Sequence, residues 1–311
     1  MHNQGAIKSA QTLAALTPAE LASLHPNEAG VIPILEYHHI DNGRTSYSRP
    51  ASKFQGDLER LYRENYRPIS MKDYLDNHID APAGKTPVIL TFDDAIETQF
   101  RYLADGSVDP KCAVGMLQAF HTLHGDWPLK GTFFVLPETA FGQPSLRKKK
   151  MADLLAMGFE IGNHTINHPR LRDLSDDEVQ HEIGGCAREL HDLAPTARVD
   201  VIALPFGIAP RNRKLLASGE WDGARYTNRA AMLVGAEPAP SPISKKFKPM
   251  KIPRIQAFDG PWYSSYWLDI LQKHPGRRYV SDGNPLTVTV PKALAASVDE
   301  SHLNGASLRI Y

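Results

Sequence analysis

The run Val88-Ile89-Leu90-Thr91-Phe92 stops on two adjacent carboxylates, Asp93 and Asp94. It is apolar, rich in β-branched residues and too short for a helix, and Pro87 precedes it, so it reads as a buried strand. Successive strand residues point to opposite sides. The two carboxylates can therefore do different work if the chain turns there, one binding a cation while the other stays free as a base. Taken alone, the pair reads first as a cap on a following helix, because helix N-termini favour aspartate.

The rest of the chain repeats the pattern of strand followed by helix. A first strand, Val31 to Tyr37, ends on His38-His39. Helices are expected over Phe54 to Tyr66 and Ser70 to His78, the second with Ser70 and Asp73 in capping-box spacing. After the Asp pair, residues 95–130 carry too many glycines and prolines for one helix. Strand Gly131 to Leu136, helix 145–157 and strand Gly158 to Gly162 follow, the last delivering Asn163-His164. A helix from Ser175 to Leu193 opens on the box Ser175-Asp176-Asp177-Glu178, and strand Val199 to Leu204 lands on Pro205-Phe206-Gly207. Residues 236–253, rich in proline and lysine, read as a surface loop, and strand Ile252 to Phe258 and helix Tyr263 to Leu271 close the regular part. This alternation predicts a mostly parallel α/β sheet. Each polar cluster lies at the C-terminal end of a strand, where such folds place their active sites. His38, Asp93, Asp94, His164 and Phe206 are thus expected to converge.

Composition excludes several classes. In 311 residues, 35 basic side chains balance 35 acidic ones, so no net field draws the protein to nucleic acid or anionic lipid. The 42% hydrophobic content supports a sizeable core. No apolar stretch approaches the ~18 residues of a transmembrane helix, and no signal peptide is visible. The protein is then cytoplasmic, or its numbering begins after a removed leader. Residues 1–30 carry a helical pattern in Leu13, Leu16, Leu21 and Leu24, with Thr17-Pro18-Ala19-Glu20 as its start, and read as a leader packed on the outside. Leu286 to Val290 reads as a strand within a short C-terminal extension, 276–311. Two cysteines, Cys112 and Cys186, could pair, but settle neither bonding nor redox compartment.

The second cluster is His164-Thr165-Ile166-Asn167-His168-Pro169, which Gly162 and Pro169 confine to a tight loop. Two imidazoles and a carboxylate are a common ligand set for a divalent metal, leaving positions open for water. Read alone, the pair fits hydrogen-bonded surface histidines as well. Coupling it with the Asp pair on a neighbouring strand end favours the metal. The His-Glu-x-x-His signature of zinc peptidases is absent.

In order, Thr91-Phe92-Asp93-Asp94, Gly131-Thr132-Phe133-Phe134-Val135, His164 to Pro169 and Pro205-Phe206-Gly207 resemble the motifs of polysaccharide deacetylases, the NodB-homology group or carbohydrate esterase family 4. The resemblance covers residues 31–275. It implies a distorted (β/α) barrel as a single catalytic domain, and metal-dependent removal of acetyl groups, most often N-acetyl, from a glycan. By that resemblance Asp93 is the general base and Asp94, His164 and His168 are the ligands of one divalent metal, zinc first, with cobalt or nickel as alternatives. The backbone amide of Phe206, after Pro205, is the oxyanion donor. The implied partner is an acetylated glycan, and the implied location is secreted or in the cell envelope.

The chain departs from the family pattern in places. Ala95 stands where many members have glycine, and Ala203 where many carry the arginine that tethers the base. No Asp-x-x-Asp-Trp motif is found, and Leu271-Gln272-Lys273-His274 is a poor match to the late histidine motif that supplies the acid. Glu36-Tyr37-His38-His39-Ile40 resembles the subgroup acting on poly-N-acetylglucosamine, in which the first strand provides the acid, here His38. Arg254 is the candidate replacement for the missing tether. Trp262, Tyr263, Tyr266 and Trp267 could floor a sugar groove, though at helical spacing they also suit a core. The alternatives are a glycan-binding pseudoenzyme of the same fold and a hydrolase of a small non-sugar amide.

Overall fold

The computed structural model of the protein describes residues 16–43 and 45–311. Among these, eight strands form the main sheet. They are β1 (Ile34–Tyr37), β2 (Tyr66–Pro68), β3 (Thr86–Phe92), β4 (Thr132–Val135), β5 (Glu160–Asn163), β6 (Val201–Ala203), β7 (Ala230–Met232) and β8 (Ile255–Gln256). All pair in parallel in the order β7-β6-β5-β4-β3-β1-β8, with β2 beside the start of β3. The curl returns on itself. Leu233 N–H donates to Ile252 O at 2.8 Å and Ile252 N–H to Ala231 O at 3.0 Å, so the exit of β7 meets the approach to β8. The result is the distorted barrel of the NodB-homology type.

Five helices carry much of the crossover path: α1 (Ala51–Arg63), α2 (Ala113–Leu123), α3 (Arg147–Met157), α4 (Cys186–Leu193) and α5 (Ser264–Lys273). Alternation along the strands splits the apolar residues into two cores. Leu35, Tyr37, Leu90 and Phe92 pack outward with Phe54, Leu58 and Leu61 of α1. Ile34, Ile89, Phe134, Ala203 and Met232 fill the other core. By the same alternation, Glu36, Thr91 and Asp93 lie on the side of Ile34 and Ile89.

Three expectations change in detail. α1 stops at Arg63 rather than running to Tyr66, because Asn65 takes a left-handed φ of 67° and turns the chain into β2. The helix expected over Ser175 to Leu193 keeps its capping box but is broken by a π-helical turn, His181–Gly185. Strand β7 was not anticipated, since Ala230-Ala231-Met232 has no β-branched residue. Cys112 and Cys186 are both free and buried, Cys112 accepting from Gly115 N–H at the start of α2 and Cys186 opening α4.

Near the N-terminus, Pro18–Leu24 is helical with the Thr17–Glu20 capping box, whereas Leu13 lies outside the described residues. Thr287–Val290 pairs in parallel with Ser307–Ile310, and Thr289 N–H donates to Glu28 Oε2 at 2.8 Å. Among the described residues no helix is long and apolar enough to cross a membrane.

Candidate active site and metal centre

The strand ends bring the expected residues together. Asp94 and Ala95 follow β3 with left-handed φ values of 74° and 50°, so the chain turns sharply and Asp94 leaves the line of Asp93. Ala95 thus adopts a conformation that glycine takes more readily, where the family pattern often has glycine. Asp93 is buried, while Asp94 is partly open.

Opposite them, the loop after β5 carries both histidines. His164 Nε2 stands 3.3 Å from Asp94 Oδ1, and His168 Nε2 stands 3.7 Å from the same oxygen. The loop bends at Thr165 and His168, whose φ values are 68° and 55°. Glu182 pins it, accepting from Ile166 N–H at 3.0 Å, Asn167 N–H at 2.9 Å and Asn167 Nδ2 at 2.8 Å. Glu182 projects from the π-helical turn, a deformation that often marks functional positions. Sequence reading missed this residue, because it lies within a regular amphipathic pattern.

The donor set fits a divalent metal. Donor atoms of Asp94, His164 and His168 lie within 4.8 Å of one another. His164 Nδ1 is 3.0 Å from the Ala203 carbonyl, a pure acceptor, so Nδ1 holds the proton and Nε2 is turned towards Asp94. That buried Nε2 makes no hydrogen bond. Burial alone would lower the His164 pKa, but Asp93 and then Asp94 outweigh it and raise it. The pocket therefore favours positive charge at the place a cation would occupy. Burial lowers the His168 pKa, which keeps its imidazole neutral and ready to ligate.

Arg254 lies beneath the base candidate. Its Nη1 and Nη2 each reach an oxygen of Asp93 at 2.7 Å, Nη1 also reaches Thr91 Oγ1 at 3.2 Å, and Nε donates to Leu233 O at 2.9 Å. It arrives on the approach to β8 rather than on β6, where Ala203 leaves no side chain to do the job. Gly235 makes room: a side chain there would put its first carbon 1.1 Å from the Arg254 carbonyl oxygen. Burial opposes ionisation of Asp93, but Arg254 and then His164 hold its carboxyl well below the usual range.

Glu36 shares this arginine and was not singled out from sequence, although a lone carboxylate in an apolar strand was the available signal. Its Oε2 is 3.3 Å from Arg254 Nη2, its Oε1 is 3.8 Å from His38 Nε2, and neither oxygen is hydrogen-bonded. Burial pushes Glu36 up to about 7, against the pull of Arg254. Donor atoms of Glu36, His38 and Asp93 are also within 4.8 Å of one another, but Arg254 already occupies both Asp93 oxygens. This trio is better read as a buried ion network than as a second metal site. Burial lowers the His38 pKa, an effect that Asp93 only partly offsets, so His38 is a stronger acid when protonated. Tyr47 covers it, with ring centroids 5.2 Å apart.

Pro205 is buried and opens the tight turn Pro205–Gly207, in which Phe206 has a φ of 58°. The Phe206 ring is exposed and lies edge-on to His168 at 4.7 Å. His274 is distant: it caps the far end of α5, about 15 Å along the helix from the end nearest β8. Trp267 is buried in the core and Trp262 is exposed.

Residues 80–220 match the family model for polysaccharide deacetylase. The peptidoglycan-N-acetylglucosamine deacetylase of Bacillus cereus is 31% identical over 161 residues, 52% of this chain and 51% of that protein. A chitooligosaccharide deacetylase of Bradyrhizobium is 29% identical over 126 residues, 40% of this chain and 48% of that one. These matches span about half the length of the curated relatives. Among solved structures, the Streptococcus pyogenes deacetylase PplD in complex with acetate superposes with a TM-score of 0.56 at 22% identity, over 73% of this chain and 92% of that one. IcaB from Ammonifex degensii gives 0.54 at 16% identity, over 75% and 94%. Over residues 80–220 the chain is thus similar to polysaccharide deacetylases, and its barrel has the fold of solved deacetylases.

Proposed function

We propose that the protein is a metal-dependent deacetylase that hydrolyses N-acetyl groups on a carbohydrate polymer of the cell envelope or its surroundings. The observation that carries this reading is the pairing of two different carboxylates. Asp93 is clamped by Arg254, while its neighbour Asp94 faces His164 and His168. One is held as a base and the other as a ligand.

Asp94, His164 and His168 are assigned to one divalent ion, zinc first, with cobalt or nickel as alternatives. Such an ion supplies Lewis acidity, making water more acidic and an acyl carbon more electrophilic. Asp93 accepts the proton of the attacking water, and Arg254 fixes the orientation in which it does so. The backbone N–H of Phe206 is assigned to the oxyanion, in a turn pre-shaped by Pro205 and Gly207. His38 donates a proton to the departing amine as the C–N bond breaks. The placement of Glu36 beside His38 and Arg254 supports a role for it in positioning both. The catalytic unit is assigned to residues 31–275, with 276–311 as an extension.

Acetate release decides it. N-acetylated oligosaccharides from chitin, peptidoglycan and poly-N-acetylglucosamine, with acetylated xylan as an O-acetyl control, are incubated with enzyme before and after chelation. Acetate should appear, vanish on chelation and return with zinc, cobalt or nickel. Glycan binding without acetate would replace the reading with a pseudoenzyme, and cleavage of small amides alone would replace the substrate class.

A further inference from the structure

The chain is neutral overall, yet it gathers unpaired cations beside the site. A cavity of about 310 Å³ begins at Gly207, next to Phe206, and is lined by Arg172, Arg211, Arg213 and Lys251 with no carboxylate. A second cavity, of about 280 Å³, is lined by Lys246, Lys248, Arg277 and again Lys251, with Glu237 as its one carboxylate. Lys251 lines both, so the two are adjacent. All of these cations are exposed, and among the described residues none forms an ion pair. Nearby carboxylates are engaged elsewhere: Asp173 pairs with Arg170, and Asp176 accepts from Asn212 Nδ2 at 2.7 Å. At the far end Trp267 joins the lining, and the exposed Trp262 ring lies 6.2 Å from it.

We infer that these two cavities form one binding track for an anionic glycan, a chain bearing carboxylate or phosphate groups on sugars that neighbour the acetylated one. Seven like charges facing a single carboxylate, Glu237, create a local positive potential in a protein of no net charge. Such a potential concentrates anions and is lost at high salt, where the Debye length falls to about 3 Å at 1 M. The track starts one residue beyond Phe206, so an extended polymer in the site would continue along it. Trp262 offers a flat apolar face of the kind that packs against a sugar ring.

This inference rests on the deacetylase reading only for which sugar is cut, so binding and turnover are measured separately. The probes are chitohexaose, a hexasaccharide with alternating muramic acid carboxylates, a phosphorylated oligosaccharide of equal length, and a short DNA duplex. The variant is Arg211→Gln/Arg213→Gln/Lys248→Gln/Lys251→Gln, whose melting temperature should match wild type. At low salt the wild type should bind a carboxylated or phosphorylated glycan about tenfold or more tighter than chitohexaose. The variant should lose that margin while binding and deacetylating chitohexaose as before. The preferred probe identifies carboxylate or phosphate as the recognised group. Charge-dependent binding with no acetate release would leave the track standing and remove the deacetylase reading. Equal affinity for neutral and anionic glycans, an unchanged margin in the variant, or DNA binding as tight as the glycan would overturn the inference.

Discussion

Arg254 grips Asp93 with two parallel bonds of 2.7 Å, and the same guanidinium stands 3.3 Å from Glu36. All three side chains are buried. One cation thus compensates two carboxylates deep in the barrel, and the arrangement has consequences for stability as well as catalysis. Arg254→Met strands both carboxylates and should cost about 3–5 kcal/mol in denaturant unfolding. Adding Glu36→Gln removes one stranded charge, so the double variant should recover part of that loss. A double variant less stable than Arg254→Met would show that Glu36 is not compensated by Arg254.

The seat of Arg254 depends on Gly235. Because a first side-chain carbon there would sit 1.1 Å from the Arg254 carbonyl oxygen, Gly235→Ala must displace the backbone that carries the guanidinium. Turnover should fall at least about tenfold while metal content is kept, since 1 Å of misplacement can cost up to about 10²-fold. Undiminished turnover would mean that the clamp tolerates displacement.

The residues that gather at the strand ends were legible in the sequence, as was the α/β barrel, whereas two of its short strands were not. Asp93, Asp94, His164 and His168 stand out because charges and imidazoles interrupt apolar strands at their ends, a signal of local sequence. Arg254 is marked in the sequence only indirectly, by an absence, since Ala203 can tether nothing. The contacts of Glu36 and Glu182 are not legible in local sequence because they arise from tertiary neighbours: one faces an arginine more than two hundred residues away, the other pins a loop. The strands Tyr66–Pro68 and Ala230–Met232 were unreadable for a related reason. Three residues carry too little periodicity, and their strand geometry is imposed by the partners they pair with.

His38 and His274 separate cleanly by position. An amine needs protonation to leave, whereas the leaving group of an activated acetyl ester does not. His38→Ala should therefore slow amide cleavage far more than ester cleavage, and His274→Ala should change neither. Comparing both substrates in both variants at saturating metal tests this, and an amide-selective defect in His274→Ala would move the acid to the C-terminal part of the barrel.

The junction of the two chain ends carries a pH signature. Burial, reinforced by Asp282, raises the Glu28 pKa from 4.5 to about 8. A group whose folded pKa is raised stabilises the fold fully below its unfolded value, and that contribution is lost as pH rises through the folded pKa. Unfolding free energy should thus decline between about pH 5 and pH 8, by on the order of a few kcal/mol. Glu28→Gln should flatten the profile. A wild-type stability that rises over this range would contradict the assignment.

The central claim is the division of labour between adjacent aspartates. It is tested most directly by measuring metal content and acetate release on the same preparations of wild type, Asp93→Asn and His168→Ala. Asp93→Asn should keep the metal and lose roughly 10²–10⁴-fold in turnover, as expected for removal of a general base. His168→Ala should lose metal and turnover together. Loss of metal from Asp93→Asn, or full metal in His168→Ala, would contradict the division and require the ligand set to be redrawn.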